Sequence, residues 1–259
     1  MGMRFSEKLA ARIKATGSNL CVGLDPRIER HGGSVAEVEG FLRGVIEETA
    51  RYAAAFKPNS AYFEALGSEG VAMMEQVLEL VPEDVPVILD VKRSDIGETQ
   101  RRYATACFDQ WGADAATLNP FMGYDSLVPF LDEEGKGVYA LAVTSNPGSA
   151  DIQRCEVDGR KVYERVGDFA ERAREEGRAT DVGLVVGLTN AAVEVLAGLP
   201  DVPLLVPGLG AQGGDLSALK GSGREAPIVV NVSRGVLYGD EACGVLAERF
   251  AGEIAEVLG

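Results

Sequence analysis

Short apolar runs rich in Val, Ile, Leu and Ala recur along the chain, and longer stretches of helical period separate them. The runs Leu20–Leu24, Ala54–Phe56, Val87–Val91, Ala115–Leu118, Gly137–Val143, Val182–Val186, Pro203–Val206 and Ile228–Val232 read as buried strands. Between them, Ser34–Ala53, Gly70–Leu80, Glu98–Trp111, Lys161–Arg178, Asn190–Ala197 and Glu241–Leu258 are amphipathic and read as helices. Strands alternating with helices of this length predict right-handed βαβ units and a parallel sheet. Eight of them predict an α/β fold, a closed (β/α)8 TIM barrel over residues 1–259 as one domain, with Phe5–Ala15 as an extra N-terminal helix. An open doubly wound sheet would carry a Gly-rich turn after its first strand, where this chain has Gly23-Leu24-Asp25-Pro26. The Gly-, Asn- and Asp-rich stretch from Ser145 to Gly159 reads as a long loop after the fifth strand.

Polar residues recur where the strands finish. Asp25 closes the first, Lys57 the second, Asp90 and Lys92 the third; Asn119 follows the fourth and Ser145 the fifth. Strand side chains alternate, so Asp90 and Lys92 are expected on one face, with Asp95 in the next turn. Two carboxylates about 4 Å apart repel by about 4 kcal/mol at an effective dielectric near 20 unless a cation lies between them. A strand-end salt bridge would also gather such charges. Charges of both signs on three consecutive strands, however, converge on the rim where barrels of this kind hold their chemistry. Later, Pro207-Gly208-Leu209-Gly210-Ala211-Gln212-Gly213-Gly214-Asp215 and Asn231-Val232-Ser233-Arg234-Gly235 follow the seventh and eighth strands. Glycines let backbone N–H groups approach an anion, and an arginine can fork onto phosphate oxygens. These two loops form the standard phosphate grip of such barrels.

Asp90-x-Lys92-x-x-Asp95-Ile96-x-x-Thr99 resembles the signature of the orotidine 5'-phosphate decarboxylase family. Asp-x-Lys-x-x-Asp alone marks a wider group of barrels that includes sugar-phosphate decarboxylases and synthases. Gly23-Leu24-Asp25, Phe56-Lys57-Pro58-Asn59 and the two phosphate-loop blocks extend the resemblance over nearly the whole chain. Asn119-Pro120-Phe121-Met122-Gly123 and Lys92-Arg93-Ser94-Asp95 are similar to the bacterial branch, which usually has Gly where Ser94 stands. The resemblance implies loss of CO2 from orotidine 5'-phosphate to give UMP, without a cofactor or metal. It implies a tetrad of Lys57, Asp90, Lys92 and Asp95, with Lys92 as proton donor to C6 and Asp90 beside the substrate carboxylate. Asp25 would bind the ribose and Ser145 the pyrimidine ring. Gln212 and Arg234 would hold the phosphate, with Pro207, Gly208, Gly213 and Ser233 in the same loops. Ser233 replaces the family's usual Gly before the arginine. Asp95, Ile96 and Thr99 would complete the neighbouring subunit's site, which makes a homodimer the expected assembly.

Composition narrows the field. The 259 residues are 46% hydrophobic and 25% charged, enough for one sizeable core. The start, Met1-Gly2-Met3-Arg4-Phe5-Ser6, lacks a signal pattern and no apolar run suits a membrane helix, so a cytoplasmic protein is expected. A net charge of -15 argues against nucleic acid and confines any anionic ligand to a local pocket of donors. Cys21, Cys107, Cys155 and Cys243 show neither disulfide nor zinc spacing. His31, the sole histidine, lies in a Gly-flanked loop expected to be exposed and without a role, so acid–base work falls to Lys, Asp or Glu. The rival within enzymes is a Mg²⁺-dependent sugar-phosphate lyase or synthase, which would need a glutamate near the second strand; that strand ends in Lys57, with Glu64 downstream. A non-catalytic nucleotide-binding barrel would need the phosphate loops without the tetrad.

Overall fold

The computed structural model describes residues 2–187, 193–208 and 216–258. Eight strands form its main sheet: β1 (Leu20–Leu24), β2 (Ala55–Pro58), β3 (Ile88–Arg93), β4 (Ala115–Leu118), β5 (Gly137–Val143), β6 (Asp181–Val186), β7 (Leu204–Pro207) and β8 (Ile228–Val232). They pair in parallel in the order β2-β1-β8-β7-β6-β5-β4-β3. Parallel bridges Phe56↔Val87 and Asn59↔Asp90 join the two outer strands, so the sheet closes into a barrel. Helices Val35–Thr49, Gly67–Glu79, Gly97–Thr105, Val162–Glu175, Val193–Ala197 and Cys243–Leu258 occupy the predicted positions between strands or after the last.

Each surrounding helix buries a stripe. In Val35–Thr49, Val38, Leu42, Val45, Ile46 and Thr49 recur at three- and four-residue spacing and are buried, while Ser34 caps the start by accepting from the Glu37 N–H at 3.3 Å. The expected helix to Ala53 stops at Thr49 because the chain turns there into β2. The expected Glu98–Trp111 helix is regular to Thr105 and then widens into a π-turn, Ala106–Gln110. The stretch Ser145–Gly159 is more ordered than a plain loop. It holds a 3₁₀ turn, Pro147–Asp151, and one arm of a hairpin pairing Glu156–Val157 with Arg160–Lys161, because Asp158-Gly159 turns with both residues at positive φ.

The extra helix, Phe5–Thr16, closes the barrel's N-terminal end. Phe5 and Leu9, one turn apart, join Cys21, Ala55, Ile88, Ala115, Tyr139, Val185, Leu205 and Val229 in a core inside the strands. Phe5 meets Tyr139 edge-on with ring centroids 6.0 Å apart. A Cβ at Gly137 would lie 2.4 Å from the Phe5 ring, so β5 begins with glycine to admit it. Arg4 to Asp181 and Lys8 to Asp114, both 2.6 Å, tie the helix to β6 and to the residue before β4. Phe5 and Leu9 thus fill the barrel interior at its N-terminal end.

Candidate active site

Lys57 comes up from β2 and is 4% exposed; Asp90 comes up from β3 and is 9% exposed. Their Nζ–Oδ2 distance is 3.0 Å. Lys92 Nζ lies 2.6 Å from the other oxygen of Asp90, Oδ1. Thr117, at the same level on β4, donates to Oδ1 at 2.9 Å, and the Asn59 amide approaches Oδ2 at 3.4 Å. One carboxylate is thus held between two ammonium groups with both oxygens engaged. Burial alone would raise the Asp90 pKa, but Lys57 and then Lys92 overcome it and hold the carboxyl below its usual range. For Lys57, burial favours the neutral amine, yet Asp90 and Asp25 hold it charged, with its pKa above the ordinary value.

The third strand is irregular where this chemistry sits. Leu89 pairs with Ala116 and Arg93 with Leu118, so the β3–β4 register slips between them. Lys92 has φ of 45°, a left-handed conformation that costs a non-glycine residue about 1–2 kcal/mol. The alternation expected of a regular strand therefore fails here. Asp90 and Lys92 meet because a bulge redirects Lys92, as bulges beside active sites commonly do.

A cavity of about 270 Å³ opens beside this cluster, lined by Asp25, Arg27, Lys57, Asn59, Tyr62, Asp90, Pro207, Gly208, Asn231, Ser233, Arg234 and Gly235. Three lining atoms, Asp25 Oδ1, Asn231 Oδ1 and Ser233 Oγ, are buried without a hydrogen-bond partner among the described residues. Such groups cost about 1–3 kcal/mol each when left unmatched, so the cavity is built to be filled by polar atoms. Gly208, at φ of 101°, donates its N–H to the Asn231 carbonyl at 3.3 Å and brings the end of β7 against β8. The other end of the barrel has a larger cavity, about 510 Å³, but its guanidinium groups are already paired, Arg4 with Asp181, Arg174 with Glu171, and Arg178 with Asp132 and Glu176.

Lys57, Asp90 and Lys92 are brought together as expected; Asp25, Pro207, Gly208, Ser233 and Arg234 line the cavity beside them. Asp95 accepts from the Ile96 N–H at 2.8 Å, and Ile96 (59% exposed) and Thr99 are exposed within this chain. Ser145 follows β5, its backbone N only 2.6 Å from the place a Cβ on Gly187 would take. Gln212 and Gly213 lie outside the described residues. Asn119 caps the next turn by accepting from the Phe121 N–H at 3.1 Å, and Arg93 pairs with Glu64 at 2.9 Å, which engages the glutamate a metal-dependent reading would use. His31 is half-buried rather than exposed, its ring 4.5 Å from that of Phe41, because the loop folds onto the helix Val35–Thr49. Sequence reasoning passed over Arg27, Tyr62, Thr117 and Asn231. Thr117 was open to discovery, since it stands two residues before Asn119 on the inward face of β4; Arg27 follows a loop turn and carried no periodic signal.

Buried opposite charge at the C-terminal rim, above a plugged lower end, makes this a (β/α)8-barrel enzyme. Residues 18–242 match the family described as Orotidine 5'-phosphate decarboxylase / HUMPS family, and the chain belongs to it. It is 42% identical over 242 residues to an orotidine 5'-phosphate decarboxylase of Herpetosiphon aurantiacus, covering 90% of this chain and 89% of that one. With the enzyme of the same name from Ralstonia pickettii it shares 44% over 251 residues, 91% of this chain and 90% of that one. The solved Leishmania donovani OMP decarboxylase superposes with a TM-score of 0.87 at 40% identity, covering 99% of both chains.

Proposed function

We propose that this protein removes CO2 from orotidine 5'-phosphate to give UMP, the decarboxylation step of pyrimidine nucleotide synthesis, by means of its own fixed charges. The observation that carries the reading is the Asp90 carboxylate set between Lys57 at 3.0 Å and Lys92 at 2.6 Å. In the reaction the C6–carboxyl bond breaks heterolytically, CO2 leaves, and the electron pair stays on C6. Preorganised charge is often the largest contribution to such catalysis. The Lys92 ammonium stabilises that pair and delivers a proton to C6, then regains one from solvent. Asp90 lies beside the substrate carboxylate, disfavours it, and is relieved as CO2 departs. Lys57 keeps Asp90 ionised and links it towards the ribose. Asp25 accepts from a ribose hydroxyl, which satisfies its unpaired oxygen. Arg234, which forms no ion pair among the described residues, meets the phosphate with the backbone around Pro207, Gly208 and Ser233. Gln212 and Gly213 complete that grip, and Ser145 contacts the pyrimidine. Binding energy from the phosphate positions the distant ring.

The reading extends to a single decarboxylase domain in a cytoplasmic homodimer, with Asp95, Ile96 and Thr99 reaching into the partner's site. Support comes from Ile96 being exposed and from Lys57 and Lys92 both pairing with Asp90, while Asp95 accepts from the Ile96 N–H. No helix among the described residues is long and apolar enough to cross a membrane. The decisive measurement is loss of orotate-ring absorbance when orotidine 5'-phosphate is added with EDTA present. Rapid loss, with CO2 and UMP formed, supports the reading; no loss, with or without added Mg²⁺, rejects it. Mixing inactive Lys92→Ala and Asp95→Ala proteins tests the dimer. Recovered activity is expected from hybrid sites, and none would leave Asp95 in its own chain's site.

A further inference from the structure

We propose that Thr117 is a positioning residue for the reaction, its hydroxyl fixing both the backbone and the charged end of Lys92. This rests on the decarboxylase reading and adds a residue to its machinery. Thr117 lies in the middle of β4 and is 1% exposed. Where β3 bulges between Leu89 and Arg93, the regular ladder to β4 is interrupted, and a bulge leaves backbone groups without strand partners. The Lys92 N–H is one of them, and it donates to Thr117 Oγ1 at 2.9 Å. The same hydroxyl gives its own proton to Asp90 Oδ1 at 2.9 Å. That oxygen is the one the Lys92 ammonium touches at 2.6 Å.

A hydroxyl accepts and donates at once, and no apolar side chain of the same shape can do either. Thr117 therefore closes a small circuit: Lys92 backbone, Thr117 hydroxyl, Asp90 carboxylate, Lys92 ammonium. The left-handed turn at Lys92 needs support from its surroundings, and this is the polar contact that supplies it from the neighbouring strand. Without the hydroxyl, the bulge is free to relax and the ammonium to leave the position facing C6. Small misplacements of a reacting group are costly in rate, whereas binding through the phosphate loops is made elsewhere.

The test compares Thr117→Val, which keeps the shape, with Thr117→Ser, which keeps the hydroxyl, beside the wild-type protein. For the valine variant kcat is expected to fall about ten- to a hundredfold, with KM for orotidine 5'-phosphate and affinity for UMP within about threefold of wild type. The serine variant is expected to recover kcat to within about threefold of wild type. Full turnover by the valine variant overturns the proposal, as does a rise in KM with kcat unchanged. Equal impairment of serine and valine variants also overturns it, because the methyl group would then be what matters. Should the valine protein fail to fold, Thr117→Ala replaces it, with the same comparison to serine. A wild-type protein that shows no turnover rejects the decarboxylase reading itself, and this inference falls with it.

Discussion

At Gly23 a methyl group would stand 2.6 Å from the Ser233 Cβ and 3.2 Å from Asn231 Oδ1, so β1 reaches the cavity wall beside Ser233 with no side chain at all. Ser233 stands where the family resemblance leads one to expect glycine, and Gly23 faces it across the strand pair. Gly23→Ala is expected to weaken nucleotide binding by wedging β1 from the loop before Arg234. Adding Ser233→Gly removes the colliding Cβ, and the double variant is expected to recover most of the loss, a non-additivity typical of residues in contact. Strictly additive UMP affinities from titration calorimetry would show that the two positions are uncoupled. The charged residues divide their work differently. On the proposed mechanism, Lys92→Ala is expected to lower kcat by at least about 10²–10⁴-fold while UMP still binds, since that mechanism loses its proton donor and keeps its phosphate contacts. Arg234→Ala is expected to weaken orotidine 5'-phosphate about ten- to a hundredfold, the worth of a hydrogen bond to a charged group, and to leave unphosphorylated orotidine unchanged. Equal losses for the two ligands would place the phosphate elsewhere.

Among the elements, the N-terminal helix separates stability from chemistry. Phe5→Ala empties a fully buried ring position among Tyr139, Ile88 and Val229, and such truncations cost about 3–5 kcal/mol. Because Phe5 fills the end of the barrel opposite the cavity, kcat per folded molecule is expected to stay within about twofold of wild type. Urea midpoints measured beside activity check this; a large fall in kcat at full folding would mean that the plug also holds the rim in shape. The elements were legible in the sequence because their apolar periods are strong: Leu20–Leu24, Ala115–Leu118, Gly137–Val143 and Ile228–Val232 are strands with the expected ends. Other ends moved by a few residues, as at Thr49, where the apolar period of Tyr52 and Ala53 carries on through the turn into β2. Much of the candidate site was legible too, since charge at a strand end is rare and Lys57, Asp90 and Lys92 carried it. The bulge at Lys92 was not legible. It is a register slip between two strands distant in sequence, and no local residue choice announces it; a lysine at positive φ is the reverse of what local preference favours. Asn231 was also hidden, because one polar residue inside an apolar strand gives no sign of which atoms it will face.

For the molecule as a whole, the buried Lys57–Asp90 pair sets limits of pH on a fold that carries a net charge of -15. Asp90 titrates at 3.8 when unperturbed and is held below that in the folded protein, by Lys57 and Lys92 acting against burial. A group whose folded pKa is depressed adds stability above its unfolded pKa and loses it as pH falls through the folded value. Lys57 is displaced the other way, above 10.5, so its contribution is full below that pH and is lost only as pH rises through the raised value. Between the two limits both contributions are complete and neither varies with pH. Asp90→Asn removes the carboxylate and leaves two ammonium groups without it, a change expected to cost about 3–5 kcal/mol near neutrality. That cost is expected to be constant from about pH 7 to pH 5 and to shrink once pH drops below the unperturbed carboxylate range, as the wild type loses what the variant never had. Urea unfolding of both proteins across this range measures the difference directly. A difference that stays constant well below the range where free aspartate titrates would mean that Asp90 gains nothing from its lysines in the folded barrel. The centre of the proposed reaction would then contribute no pH-dependent stability to the fold that surrounds it.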